Sequence, residues 1–177
     1  MKPIVIGMAD YAVSADPEDV LVTYALGSCI ALLIHDSQAG VGGLLHFMLP
    51  ESKIDERKAR GNPSMFADTG IPMLFHRAYE LGAVKSRLVV RAAGAAQVLD
   101  DAGVFNIGKR NYLALHRILW RAGVILRGEA TGGTTSRTVK LEVGNGRMWC
   151  REQGHPDQQF DRSITPSKGV LECPIVS

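Results

Sequence analysis

Between Val20 and Leu49 the chain is dominated by apolar residues, with breaks at Gly27-Ser28 and at the polar stretch Asp36–Gly40. Segments this short and this rich in Val, Leu and Ile read as strands rather than helices. Val20–Leu26, Cys29–Asp36 and Val41–Leu49 are therefore expected as three strands joined by tight connections, so antiparallel neighbours are predicted.

A chain of 177 residues is most simply one domain with a real core. The formal charge of +2, with charged residues at 21% and both signs interspersed, argues against nucleic acid or an anionic membrane as partner. The apolar stretches Ala25–Ile34 and Val41–Pro50 fall well short of the ~18 residues of a membrane span, so no membrane insertion is expected. The N-terminus carries Lys2 and then Asp10, without a cleavage pattern, and reads as no secretory signal. The three cysteines form no CxxC and no even framework, which fits a reduced, cytoplasmic protein without a thiolate metal cluster. No cofactor and no metal are expected.

Further along, Pro3–Met8 reads as a strand and Asp16-Pro17-Glu18 as a turn. Glu51–Ser64, with four basic and three acidic residues, reads as a solvated loop. A helix is predicted up to about Leu81, with Ile71, Leu74, Ala78 and Leu81 on one face. Pro72 places its first full turn near Asp68–Ile71, and Gly82 stops it. Arg87–Gly94 is expected as a strand. Asn106–Gly123 is expected as a helix, with Leu113, His116 or Arg117, and Trp120 at helical spacing and Gly123 as cap. A strand at "VILRGEA" and a hairpin around a two-residue Asn145-Gly146 turn follow. The chain is divided into a domain over 1–152 and a flexible or loosely docked tail over 153–177. "GVGG" and "GGTTS" complete no nucleotide-binding motif and read as turns.

Chemistry centres on Cys29. A lone cysteine in an apolar strand is a common core filler, but Gly27-Ser28 breaks the strand just before the sulfur. Backbone N–H groups at Gly27 and Ser28 can there approach a reacting carbonyl as oxyanion donors. His46 interrupts the next apolar strand, and antiparallel pairing about Ser37–Gly40 brings that strand beside the thiol's. An imidazole beside a thiol raises its reactivity and returns the proton to the leaving group. Thr23, six residues before Cys29, is a candidate to orient the ring. His35, His76, His116 and His155 read as surface or helix-lining residues. Taken alone, the residues leave Cys29 between core filler and nucleophile, and leave a small-amide hydrolase open.

"LGSCIALLIHD", "GVGGLLHFMLP", "FADTG", "NIGKRN" and "TGGTTSRTV" together resemble the CheD family of chemoreceptor glutamine deamidases, in order and spacing from about Ile4 to Glu152. The resemblance implies an α/β (α+β) sandwich of mostly antiparallel strands packed with two main helices, related to the catalytic domain of cytotoxic necrotizing factor deamidase toxins. It implies a triad of Cys29, His46 and Thr23. The implied substrate is glutamine on the cytoplasmic helices of chemoreceptors, deamidated to glutamate with release of ammonia; some members also hydrolyse glutamyl methyl esters. A CheC-type phosphatase is an implied partner. One departure is "AAGAAQV", where family members read Gly-Gly-Ala; here Ala93 and Ala95 flank Gly94. The expected function is thus a cofactor-free cysteine hydrolase, with a non-catalytic receptor- or phosphatase-binding regulator as the alternative.

Overall fold

In a computed structural model, residues 1–97 and 106–161 are described. Among them, two five-stranded sheets stack face to face. The first has the order β1-β3-β8-β9-β10 and the second β2-β5-β4-β6-β7. The first comprises β1 (Lys2–Val5), β3 (Asp19–Leu26), β8 (Arg137–Glu142), β9 (Met148–Glu152) and β10 (Gln158–Gln159). The second comprises β2 (Asp10–Ser14), β4 (Ile30–Asp36), β5 (Val41–Phe47), β6 (Val89–Gly94) and β7 (Leu126–Thr131). Pairing is antiparallel except at β1–β3 and β6–β7. The helices are α1 (Glu56–Gly61), α2 (Ala67–Glu80) and α3 (Ile107–Arg121).

The second sheet is the middle layer. Leu32, Ile34, Leu45, Phe47 and Val90 face Ile71, Leu74, Leu115 and Leu119 of α2 and α3 in one apolar cluster. Ala31, Leu33, Leu44 and Ala93 face Leu21, Val139, Leu141 and Met148 of the first sheet in the other. Every residue of β4 and β5 is buried as a result. A sheet covered on both faces needs apolar side chains on both, which explains runs that do not alternate.

Several expectations change. β4 and β5 form the predicted antiparallel hairpin, with Ala31 opposite His46. Val20–Leu26, however, lies in the other sheet, so the Gly27–Cys29 break carries the chain from one layer to the next instead of turning it within a sheet. β2 is missed at the sequence level because it is an edge strand with no fully buried residue. Glu51–Ser64 is not a loop: it forms α1 between two 3-10 turns, Ser52–Ile54 and Pro63–Met65. Several of its polar residues are bonded within the protein: the Asp55 carboxylate accepts from the Lys58 N–H, and Asn62 and Ser64 donate to the Ala9 carbonyl, far back in the chain.

Pro72 sits in the second turn of α2, and Gly82 ends that helix in a left-handed cap. In α3 the predicted stripe is the outer one: Leu113 and Trp120 are exposed, while Gly108, Asn111, Ala114, Leu115 and Leu119 face inward. Gly123 caps α3 as expected. The β8–β9 connection spans four residues, Val143–Gly146, because the register pairs Leu141 with Met148 and closes on Glu142 and Arg147. In "GVGG" only Gly40 lies in the turn; Gly42 and Gly43 are strand residues of β5. From Gln153 the chain continues into β10 and buries Phe160 completely; residues 162–177 lie outside the described part. His35 is buried, bonded through Nε2 to the Val143 carbonyl, contrary to the surface reading.

Candidate active site

Thr23 and Leu21 share the face of β3 that meets the second sheet, and both are buried. Just beyond, the β3–β8 register slips between Thr23 and Leu26, with Ala25 at φ 54°, and the strand swings out towards Gly27. On β5, Leu45 and Phe47 belong to the helix-side core and Leu44 to the inter-sheet core. Alternation therefore points His46 between the sheets. There its Nδ1 meets the Thr23 hydroxyl at 2.8 Å. A residue of each sheet thus forms this bond.

Cys29 precedes β4 and packs against the same inter-sheet cluster as Ala31 and Leu33. Ala31 is the direct cross-strand partner of His46, so the thiol lies on the imidazole's face, one pleat further along. Cys29 is half-buried, whereas His46 and Thr23 are enclosed. The imidazole Nε2 is buried with no hydrogen-bond partner among the described residues. The three polar groups singled out in the sequence thus share the inter-sheet face.

Burial sets their resting charge. It holds the His46 imidazole down to about 4, so the ring is neutral at pH 7. Burial also pushes the Cys29 thiol up, partly opposed by its own backbone N–H. The resting pair is neutral thiol and neutral imidazole.

The Cys29 loop is held from behind. The Gly27 and Cys29 carbonyls accept from the N–H groups of Ala96 and Ala95, each at 2.8 Å. Gly94 has φ +117°, and a Cβ there would collide with the Cys29 carbonyl oxygen, so the "AAGAAQV" segment keeps glycine where the Cys29 loop is nearest. Two side chains that the sequence reading passed over also hold the site. Asn111 of α3, fully buried, donates from Nδ2 to the Ser28 carbonyl at 3.0 Å and to the Met48 carbonyl at 2.8 Å. Arg137 of β8, buried, donates to the Gly132 carbonyl and to Glu152, each at 2.7 Å, joining the ends of β7 and β9. The only sequence signal for either was membership of "NIGKRN" and "TGGTTSRTV". Among the described residues there is no group of three or more His, Cys, Asp or Glu able to hold a metal ion.

The architecture is that of a two-sheet α+β protein whose inter-sheet rim gathers a thiol, an imidazole and a hydroxyl. The chain belongs to the CheD chemotactic sensory transduction family, whose model matches residues 48–152. It is 57% identical over 154 residues to a protein of Solibacter usitatus named "Probable chemoreceptor glutamine deamidase CheD", covering 87% of this chain and 91% of that one. A Syntrophus aciditrophicus protein, "Probable chemoreceptor glutamine deamidase CheD 1", is 46% identical over 156 residues, 88% of this chain and 98% of its own. A Pyrococcus horikoshii relative named like the first is 37% identical over 154 residues, 86% and 93% of the two chains. No described helix is long and apolar enough to cross a membrane.

Proposed function

We propose that this protein is a cysteine-dependent hydrolase that deamidates glutamine side chains of chemoreceptors. The observation that carries the reading is the Thr23–His46 bond, which leaves Nε2 of a neutral ring without a partner on the face where Cys29 lies. The names of the relatives supply the substrate class.

The chemistry follows from these groups. With Thr23 engaging Nδ1, Nε2 serves as the base. It takes the thiol proton as Sγ bonds to the carboxamide carbon, and the carbonyl π electrons move onto oxygen. Backbone N–H groups around Ser28 and Cys29 stabilise that oxyanion. When the tetrahedral centre collapses, the carbon–nitrogen bond breaks, the imidazolium gives its proton to nitrogen, and ammonia leaves a thioester. Water then gives a proton to Nε2 and its oxygen to the acyl carbon. Thiolate departs, regains the proton, and glutamate is released.

The implied site of action is the cytoplasmic helices of chemoreceptors, with a CheC-type phosphatase as a further partner. Kinship of the fold with cytotoxic necrotizing factor deamidases belongs to the same proposal. A buried hydroxyl–imidazole pair beside a half-buried thiol favours catalysis over a docking-only regulator, which needs none of the three.

The test is incubation of a chemoreceptor cytoplasmic fragment with the protein, read by mass spectrometry. Each edited glutamine gains the mass difference between amide and acid, and Cys29→Ala abolishes the change. An unmodified fragment, or full activity of Cys29→Ala, overturns the reading.

A further inference from the structure

The β4–β5 ladder ends at Ile30 opposite Phe47. Past that pair the two backbones part. The Met48 N–H turns away to the Met65 carbonyl, and the Cys29 carbonyl turns to the Ala95 N–H. At this fork one side chain bridges both strands: Nδ2 of Asn111 donates to Ser28 on one and Met48 on the other. Both amide hydrogens are used, while the buried Oδ1 has no partner among the described residues. An unsatisfied buried oxygen costs free energy. The residue is therefore poorly explained as ordinary helix packing.

The geometry points to Asn111 as a positioning residue that aims the Cys29 N–H at the substrate oxyanion. A trans peptide is planar, with its C=O and its N–H opposed. Pinning the Ser28 carbonyl towards α3 therefore directs the Cys29 N–H the other way, away from the helix. The Ala95–Cys29 bond fixes the following peptide, so the Cys29 backbone is held on both sides. The close seat of α3 supports this: a Cβ at Gly108, one turn before Asn111, would lie 2.7 Å from the Ala95 carbonyl oxygen. Asn111 touches no reacting atom in this scheme and acts through the peptide it orients.

The inference rests on Cys29 being the nucleophile, so the experiment keeps the two apart. Deamidation of a chemoreceptor cytoplasmic fragment is followed with wild type, Asn111→Asp, Asn111→Ala and Cys29→Ala. Loss of the donor is expected to lower kcat by roughly 10- to 100-fold, with KM within about twofold, as for a misaimed oxyanion donor. Iodoacetamide alkylation of Cys29 passes through no oxyanion, so its rate and pH profile stay within about twofold of wild type. A folded variant with unchanged kcat, or one in which kcat and alkylation fall together, overturns the proposal. If Cys29→Ala is inactive while the Asn111 variants are fully active, only this proposal falls. If Cys29→Ala is active, both fall.

Should the variants not fold, the wild type still decides. A receptor peptide carrying an aldehyde in place of the target carboxamide adds the Cys29 thiol across its C=O, giving a thiohemiacetal. Polarisation through the Ser28–Cys29 peptide is then expected to shift the Asn111 side-chain amide resonances. Unmoved resonances on full adduct formation overturn the proposal.

Discussion

Replacing the Thr23 hydroxyl by a methyl group is the smallest change that isolates ring orientation from packing. Thr23→Val leaves His46 Nδ1 buried without its partner, so kcat is expected to fall on the order of 10²-fold. Thr23→Ser restores most of the rate; equal losses in both variants would point to packing instead. His46 also carries a stability signature. Its folded-state value is depressed to about 4 from 6.5, so the unfolded chain binds the proton first. Stability present above pH 6.5 is therefore lost as pH falls towards about 4, on the order of 3 kcal/mol at most. Thermal melts across that window are expected to show the decline, and His46→Gln to flatten it. At the thiols, iodoacetamide is expected to label Cys29 before Cys150, which is buried and pushed up to about 11. His46→Ala slows labelling of Cys29 at neutral pH by removing the nearby base.

At the scale of elements, the closing turn of β6 is the most exacting. Gly94→Ala meets both a left-handed φ and the Cys29 carbonyl oxygen, and is expected to cost at least about 2 kcal/mol, read by denaturant unfolding. Strands and caps were largely legible in the sequence, because runs of Val, Leu and Ile and the glycines after α2 and α3 act locally. The face of α3 was not. Leu113 and Trp120 keep helical spacing, yet they point outward, while the inner face is made of Gly108, Asn111 and Ala114 beside Leu115 and Leu119. Small residues carry little hydrophobic signal, but here Gly108 allows the helix to approach the Ala95–Ala96 backbone just beyond β6. Asn111 was illegible for the same reason: an asparagine on a helix reads as solvent-facing until the carbonyls it serves are known. Segment 51–64 reads as a loop because a polar residue that caps a helix, as Asp55 does, or reaches a distant carbonyl, as Ser64 does, looks the same in sequence as a solvated one.

The whole molecule depends on contacts between layers and connections that no local pattern encodes. Asp36, fully buried, accepts from the N–H groups of Gln38, Ala39 and Val84 and pairs with Arg87 at 2.8 Å. Burial pushes this carboxyl up, but Arg87 and the three N–H groups outweigh it and hold it well below the usual carboxylate range. Asp36→Ala frees the β4–β5 turn from the α2–β6 connection at once. It is expected to cost about 2 to 3 kcal/mol, measured as a lower urea midpoint. The β4–β5 hairpin was legible from its turn, and with it the adjacency of the Cys29 and His46 strands. That Thr23 reaches His46 across a layer boundary was not, since strand spacing says nothing about which sheet a strand joins. Gly42 of β5 lies on the inter-sheet face two residues before Leu44, and a Cβ there would sit 3.1 Å from Leu141 and 3.2 Å from Val143. Glycine at this point lets the two sheets come close a few residues from where Thr23 must reach the imidazole. Under the proposed mechanism, the thickness of hydrocarbon between the layers becomes a kinetic parameter. A methyl group added far from any reacting atom can slow the enzyme simply by wedging its two halves apart.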